Sequence, residues 1–211
     1  MDARTALTTT RAVRRRLDAG RPVPRAVVEQ CIEIAAQAPS GGNRQRLRWV
    51  ILEDPDVRRD VVEAFREPAI ARFREVLAGA TDPGARRAYQ GGIELLERME
   101  TIPVLALPCM TGGRAEPLSY PAAAGFYGSA IPAVWSFQLA LRTFGLGSTY
   151  TTVHLGHERE VAEILGIPEN VRQIALLPVA YTLGEDFRPA RRLPVAQTMS
   201  YDSWGTAFAD A

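Results

Sequence analysis

The chain has 211 residues and a formal net charge of +1, with 46% hydrophobic and 23% charged side chains. That composition is of the soluble globular kind and argues against a nucleic-acid binder or an acidic tail protein, both of which need a charge imbalance. All 25 positive side chains are arginine and none is lysine, which excludes Schiff-base catalysis, pyridoxal phosphate anchoring and a P-loop.

Apolar residues at Val27, Val28, Cys31, Ile32, Ala35 and Ala38 predict a helix from Pro24 to Ala38, stopped by Pro39. The Pro39–Asn43 stretch (PSGGN) reads as a loop, and Arg48 to Leu52 (RWVIL) as a buried strand. Asp54-Pro55 opens a helix over Asp56 to Ala78, with Pro68 a candidate break, and a second helix covers Ala85 to Met99 after a polar turn. Ile102 to Cys109 (IPVLALPC) reads as a buried strand, and Met110 to Pro121 as a Gly/Pro-rich loop. A long central helix spans Tyr127 to Phe144 and ends at Gly145–Gly147. Ser148 to Val153 reads as a strand, His157 to Leu165 as a short helix and Ile174 to Tyr181 as a further strand. The tail from Gly184 to Ala211 has no periodicity of its own.

This order is not a regular strand–helix alternation, and no GxGxxG follows a strand, so a Rossmann domain is not expected. The pattern predicts one α+β domain over residues 1–211. No apolar run approaches the roughly 20 residues needed to span a bilayer. The opening MDARTALTTTRAVRRRL has no apolar stretch behind its arginines, so a cytoplasmic protein is expected. Cys31 and Cys109 fit small buried core positions better than a disulfide.

Polar clusters at four places are candidates for chemistry. Thr10–Arg16 is an arginine run that suits either a solvated helix end or a phosphate clamp. Pro39–Gln45 combines two glycines, a hydroxyl and carboxamides, which suits a plain turn or the edge of a planar heterocycle. Gly145–Thr152 is rich in hydroxyls, and Arg188, Arg191 and Arg192 precede Leu193-Pro194. His154 and His157 have a spacing that metals use, but no ligand partners cluster near them, so no metal site is expected; no GxSxG motif occurs either.

Taken in order, these clusters resemble the nitroreductase family. Thr10 to Leu17 is similar to its opening Arg-Arg-Ser-Val-Arg-type motif, and Ala38-Pro39-Ser40-Gly41-Gly42-Asn43-Arg44-Gln45 to its second motif. Phe144-Gly145-Leu146-Gly147-Ser148, Leu165-Gly166-Ile167-Pro168-Glu169, Arg191-Arg192-Leu193-Pro194 and Ser203-Trp204-Gly205 resemble its later motifs. The resemblance implies a three-layer fold with a mixed or antiparallel sheet of about four strands between helices. It further implies a homodimer whose tail packs on the partner subunit, and FMN held at the dimer interface. Arg11, Ala12 and Arg14 are then expected at the flavin phosphate or pyrimidine edge. Pro39, Ser40, Gly41, Asn43 and Gln45 are expected at the isoalloxazine, with Ser40 and Gly41 candidates to come from the partner subunit. Thr149, Tyr150, Thr151 and Thr152 fall along the ring, and Arg191 and Arg192 at the phosphate.

Thr10 and Ala12 replace an arginine and a serine of the opening motif, Arg46-Leu47 replaces proline-tryptophan, and the family's mid-chain flavin-contacting asparagine has no match. The expected activity is hydride transfer from NAD(P)H through FMN to a small planar acceptor, a nitroaromatic or quinone, in a ping-pong cycle. Dehydrogenation or reductive removal of a substituent from a specialised metabolite, and non-catalytic flavin sequestration, remain the alternatives. With FMN carrying the redox chemistry, no catalytic side chain is required.

Overall fold

The computed structural model describes residues 1–112, 118–184 and 186–205. The chain opens with a helix that the sequence reading left unassigned, α1 (Ala3–Thr9). Asp2 caps it, accepting from the Thr5 backbone N–H at 3.0 Å. α2 (Arg25–Ala35) carries the predicted stripe, with Val28, Cys31 and Ala35 buried. β1 (Leu47–Leu52) leads into α3 (Pro55–Gly79), capped by Asp54. Pro68 does not break this helix: Phe65, Ala69 and Ile70 are buried around it, and that packing offsets the lost backbone hydrogen bond. α4 (Pro83–Leu96), capped by Asp82, returns along α3 to form a helical hairpin.

β2 (Val104–Thr111) follows. The single helix expected over Tyr127 to Phe144 is two helices, α5 (Tyr120–Gly128) and α6 (Ile131–Thr143). Gly125, Gly128 and Ser129 favour a break there, and Pro132 suits the first turn of the second helix. The strand expected over Ser148 to Val153 is instead β3 (Leu146–Ser148), after which the chain leaves the sheet. α7 (Glu158–Leu165) ends on Gly166 at φ 63°, and β4 (Val171–Gln173) and β5 (Leu177–Tyr181) complete the elements.

The sheet has five strands, one more than expected, in the order β1-β2-β5-β3, and every strand pairing is antiparallel. β4 shares an edge of β2 with β5, pairing Cys109–Thr111 while β5 pairs Val104–Ala106. β2 is buried on both faces, which explains its unbroken apolar run. Leu105, Leu107 and Cys109 face a core built with α3, α4 and α7, whereas Val104, Ala106 and Met110 face one built with α2 and α6. The result is three layers, helix on sheet on helix, as the family resemblance implies. No helix among the described residues is long and apolar enough to cross a membrane.

Candidate functional site

The segment 11–17 runs from the end of β3, beside Ser148, to the end of β5, where Leu17 bridges Thr182. Ala12 bridges to Ser148 in parallel, and the Val13 N–H donates to the Ser148 carbonyl at 2.9 Å. Gly147 makes this approach possible, because a Cβ there would stand 2.9 Å from Val13 Cγ2 and 2.6 Å from Thr182 Cγ2. Val13 and Leu17 turn into the core, so the arginines between them face outward.

Those arginines have different partners. Arg11 donates to the Thr10 carbonyl at 3.1 Å and to the Arg188 carbonyl. Arg15 pairs with Glu94 on α4, with Nη2 to Oε1 at 2.9 Å. Arg16 donates to the Leu183 carbonyl at 2.7 Å and lies 4.4 Å over the Phe187 ring. Arg14 is half-buried; its backbone carbonyl accepts from Arg98 Nη2 at 3.0 Å, but its guanidinium has no hydrogen-bond or ion-pair partner among the described residues. Burial lowers its pKa, since a guanidinium shielded from water and left unpaired holds its charge at a cost.

Two cavities meet at Arg14. One, of about 220 Å³, is lined by Arg14, Arg15, Arg16, Arg87, Gly91 and Phe187. The other, of about 430 Å³, lies between the α3–α4 hairpin and the Thr149–Val153 loop, with Arg72, Phe73 and Tyr89 on its helical wall. No carboxylate lines either cavity among the described residues. Arg87, Arg72, Phe73, Tyr89 and Phe187 were not foreseen from sequence. The α3–α4 stretch that holds the first four carries no motif, and only the return of α4 along α3 brings it over the opening arginines, while Phe187 reaches them from the tail.

The Thr149–Thr152 loop is tied to the sheet by one bridge, Thr151 to Leu176, with N···O distances of 3.2 and 2.9 Å. Thr149 is buried, and the Tyr150 hydroxyl donates to the Ile174 carbonyl at 3.3 Å. Burial, and secondarily Tyr127, raises the Tyr150 pKa. Arg14 and Thr149–Thr152 therefore line one cavity.

The Pro39–Gln45 loop lies elsewhere. Gly42, Asn43 and Gln45 have φ of 60°, 50° and 47°, and Gly41 N–H donates to Ser129 Oγ at 3.0 Å. Ser40, Gly41 and Gln45 line a third cavity, of about 730 Å³, with Met110 and Phe126; Pro39 and Asn43 are exposed beside it. Within one chain this cavity shares no residue with the two at Arg14. Arg191 and Arg192 are exposed and line none of the three; among the described residues Arg192 donates only to the Arg191 carbonyl, at 3.3 Å.

The two histidines part company. His154 is wholly buried, edge-on to Phe65 at 6.1 Å, whereas His157 faces Glu160 at 3.5 Å. Among the described residues no group of three or more histidine, cysteine or acidic side chains is placed to hold a metal.

A family model described as "Nitroreductase family" matches residues 7–181. An NADH dehydrogenase of Thermus thermophilus is 28% identical over 214 residues, covering 94% of this chain and 95% of that protein. Iodotyrosine deiodinase 1 of Rattus norvegicus is 26% identical over 166 residues, covering 76% of this chain and 55% of that protein. The chain thus matches only about half the deiodinase's length. A solved structure of oxidized iodotyrosine deiodinase bound to FMN and 3-iodo-L-tyrosine superposes with a TM-score of 0.71 at 21% identity, covering 95% of this chain and 99% of that one. At that identity the likeness speaks for the fold.

Proposed function

The chain belongs to the nitroreductase family, and from that premise we propose that it is an FMN-dependent oxidoreductase that takes hydride from NAD(P)H and passes reducing equivalents to a small planar acceptor. The observation that carries this reading is Arg14, a half-buried, unpaired guanidinium standing where two carboxylate-free cavities meet. An anion is what such a group lacks, and a flavin nucleotide offers together a phosphate and a ring edge of acceptor atoms that takes on negative charge on reduction. Charge-assisted hydrogen bonds of this kind contribute roughly 1.5–3 kcal/mol each.

The residues present fit that group. Arg14 and Arg87 supply positive charge for the phosphate or the pyrimidine edge, and the Thr149–Thr152 loop supplies a polar rail for the ring. Phe73 and Tyr89 form an apolar wall that excludes water. FMN, when bound, supplies the hydride-transfer chemistry. The chain's part is to bind, orient and shield. For a nitroaromatic the overall two-electron reaction consumes NAD(P)H and one proton and yields the nitroso compound, NAD(P)⁺ and water.

We also propose that the working form is a homodimer. Tyr127, Ile131 and Trp135 are 43%, 46% and 41% exposed at helical spacing along α5 and α6, and Ile34 on α2 is 47% exposed. A second copy on that apolar stripe would also account for the separate Pro39–Gln45 loop, whose residues would then complete the partner's flavin site. The exposed tail residues Leu193, Val195 and Trp204 offer a further apolar surface for that copy, and Arg191 and Arg192 travel with them.

The test is the visible spectrum of the purified protein, identification of any released chromophore, and anaerobic titration with NADH and NADPH. Released FMN that bleaches with either donor supports the reading. A protein that neither carries nor takes up FMN refutes it. A second reading, reductive removal of a substituent from an aromatic compound, is favoured by the likeness to the deiodinase. Release of halide from a halogenated phenol would separate the two.

A further inference from the structure

The wall opposite the Thr149–Val153 loop has a composition that goes beyond what a flavin requires. Phe73 and Tyr89 meet edge to face, with centroids 5.3 Å apart at 81°. Gly92 on α4 sets that arrangement, because a Cβ there would lie 2.6 Å from the Phe73 ring. Val76, Leu95 and Met99 extend the apolar surface. One positive group stands in this wall, Arg72.

Several other arginines of the hairpin have partners within the chain. Arg59 pairs with Asp56 at 2.8 Å, Arg66 pairs with Glu100, and Arg86 donates to the Ala80 carbonyl at 2.9 Å. The exposed guanidinium of Arg72 has no hydrogen-bond or ion-pair partner among the described residues, and no carboxylate lines the cavity to balance it. Arg14, the other guanidinium lining the cavity, is the one proposed above for the flavin, which leaves Arg72 at the mouth of an aromatic slot, a match for a ring that carries an anionic group.

We propose that this cavity, of about 430 Å³, seats an acceptor that is an aromatic carboxylate, with Arg72 holding the carboxylate and the Phe73–Tyr89 pair flanking the ring. The assignment rests on the proposed flavin reading for what reduces the acceptor and for what occupies Arg14, and on Arg72, Phe73 and Tyr89 for what is selected. Arg72 is thus a specificity-determining residue, and uncharged aromatics of the same size are poorer ligands.

Calorimetric titration of the protein as purified, with para-nitrobenzoate and with its neutral isostere para-nitrobenzamide, tests this. The benzoate binds more tightly by roughly five- to tenfold, the range for one charged contact partly screened by water. Arg72→Gln abolishes that preference and leaves the benzamide unchanged, which also reports that the cavity is intact; Arg72→Lys restores part of it. Equal affinities in the wild type, no binding of either probe, or a preference that survives Arg72→Gln overturns the proposal. Flavin content measured on the same samples separates the two ideas. FMN that is bound and reducible without any benzoate preference sinks the acceptor assignment alone. An Arg72-dependent preference in a protein that never takes up FMN sinks the flavin reading alone.

Discussion

Gln138 on α6 donates from Nε2 to Ser148 Oγ at 3.0 Å, and both side chains are buried. Since the Ser148 carbonyl holds Val13 N–H, this bond links the central helix to the strand that positions Arg14. Gln138→Leu leaves the Ser148 hydroxyl without that donor in the core, a loss of about 1–3 kcal/mol. Urea denaturation should show a lower midpoint with an unchanged slope, and FMN affinity should fall with it. An unaltered midpoint would mean that the bond contributes nothing to the edge.

Arg14→Ala should weaken FMN more than riboflavin, by roughly tenfold in the ratio of the two dissociation constants. Arg87→Ala should shift the same ratio in the same direction by less, because Arg87 is exposed. Flavin fluorescence titration reads both ratios. Equal losses for FMN and riboflavin would place the phosphate away from these arginines.

His154 predicts an acid-sensitive fold. Burial pushes its pKa down from 6.5 to about 4, so as pH falls the unfolded chain takes up the proton first. The stability gained by keeping the ring neutral is complete above pH 6.5 and declines between there and about pH 4. Its full extent is on the order of 3 kcal/mol. His154→Leu should flatten this limb, compared by urea midpoints at neutral pH and near pH 5. Parallel pH profiles for the two proteins would show that the ring is more open to water than its packing against Phe65 indicates.

Both cysteines should be inert in the folded protein. Burial pushes the Cys31 thiol up to about 12, and burial with the nearby Glu158 does the same to Cys109. An aromatic disulfide reagent at neutral pH should react with neither until denaturant is added. One fast equivalent in the native protein would point to local opening of β2 or α2.

What the sequence revealed, and what it hid, follows from the range of the forces involved. α2, β1, β2 and α7 have periodic or continuous apolar patterns that burial alone explains, and the order of the arginine, Gly-Gly-Asn and threonine clusters carried the family resemblance. α1 was missed because its ARTALTT sequence is rich in threonine, a poor helix former, and depends on the Asp2 cap. β4 was missed because its three residues have no pattern and exist as a strand only through β2. The wall of the cavity was out of reach for a related reason. Arg72, Phe73, Arg87 and Tyr89 belong to helices that read as ordinary surface helices, and their convergence on Arg14 is a matter of tertiary packing.

The start of the tail is held in an uneven way. Arg11 and Arg16 grip it through the main-chain carbonyls of Leu183, Asp186 and Arg188, whatever side chains those positions carry. Phe187 is held by its ring, between Arg16 at 4.4 Å and Arg142 at 4.2 Å. Mutational drift should therefore be wide at 183, 186 and 188 and narrow at 187. A relative in which Phe187 became small would lose the ring that stacks on Arg16 and Arg142 and walls the basic cavity, and so change what that pocket attracts with no substitution in the pocket's own arginines.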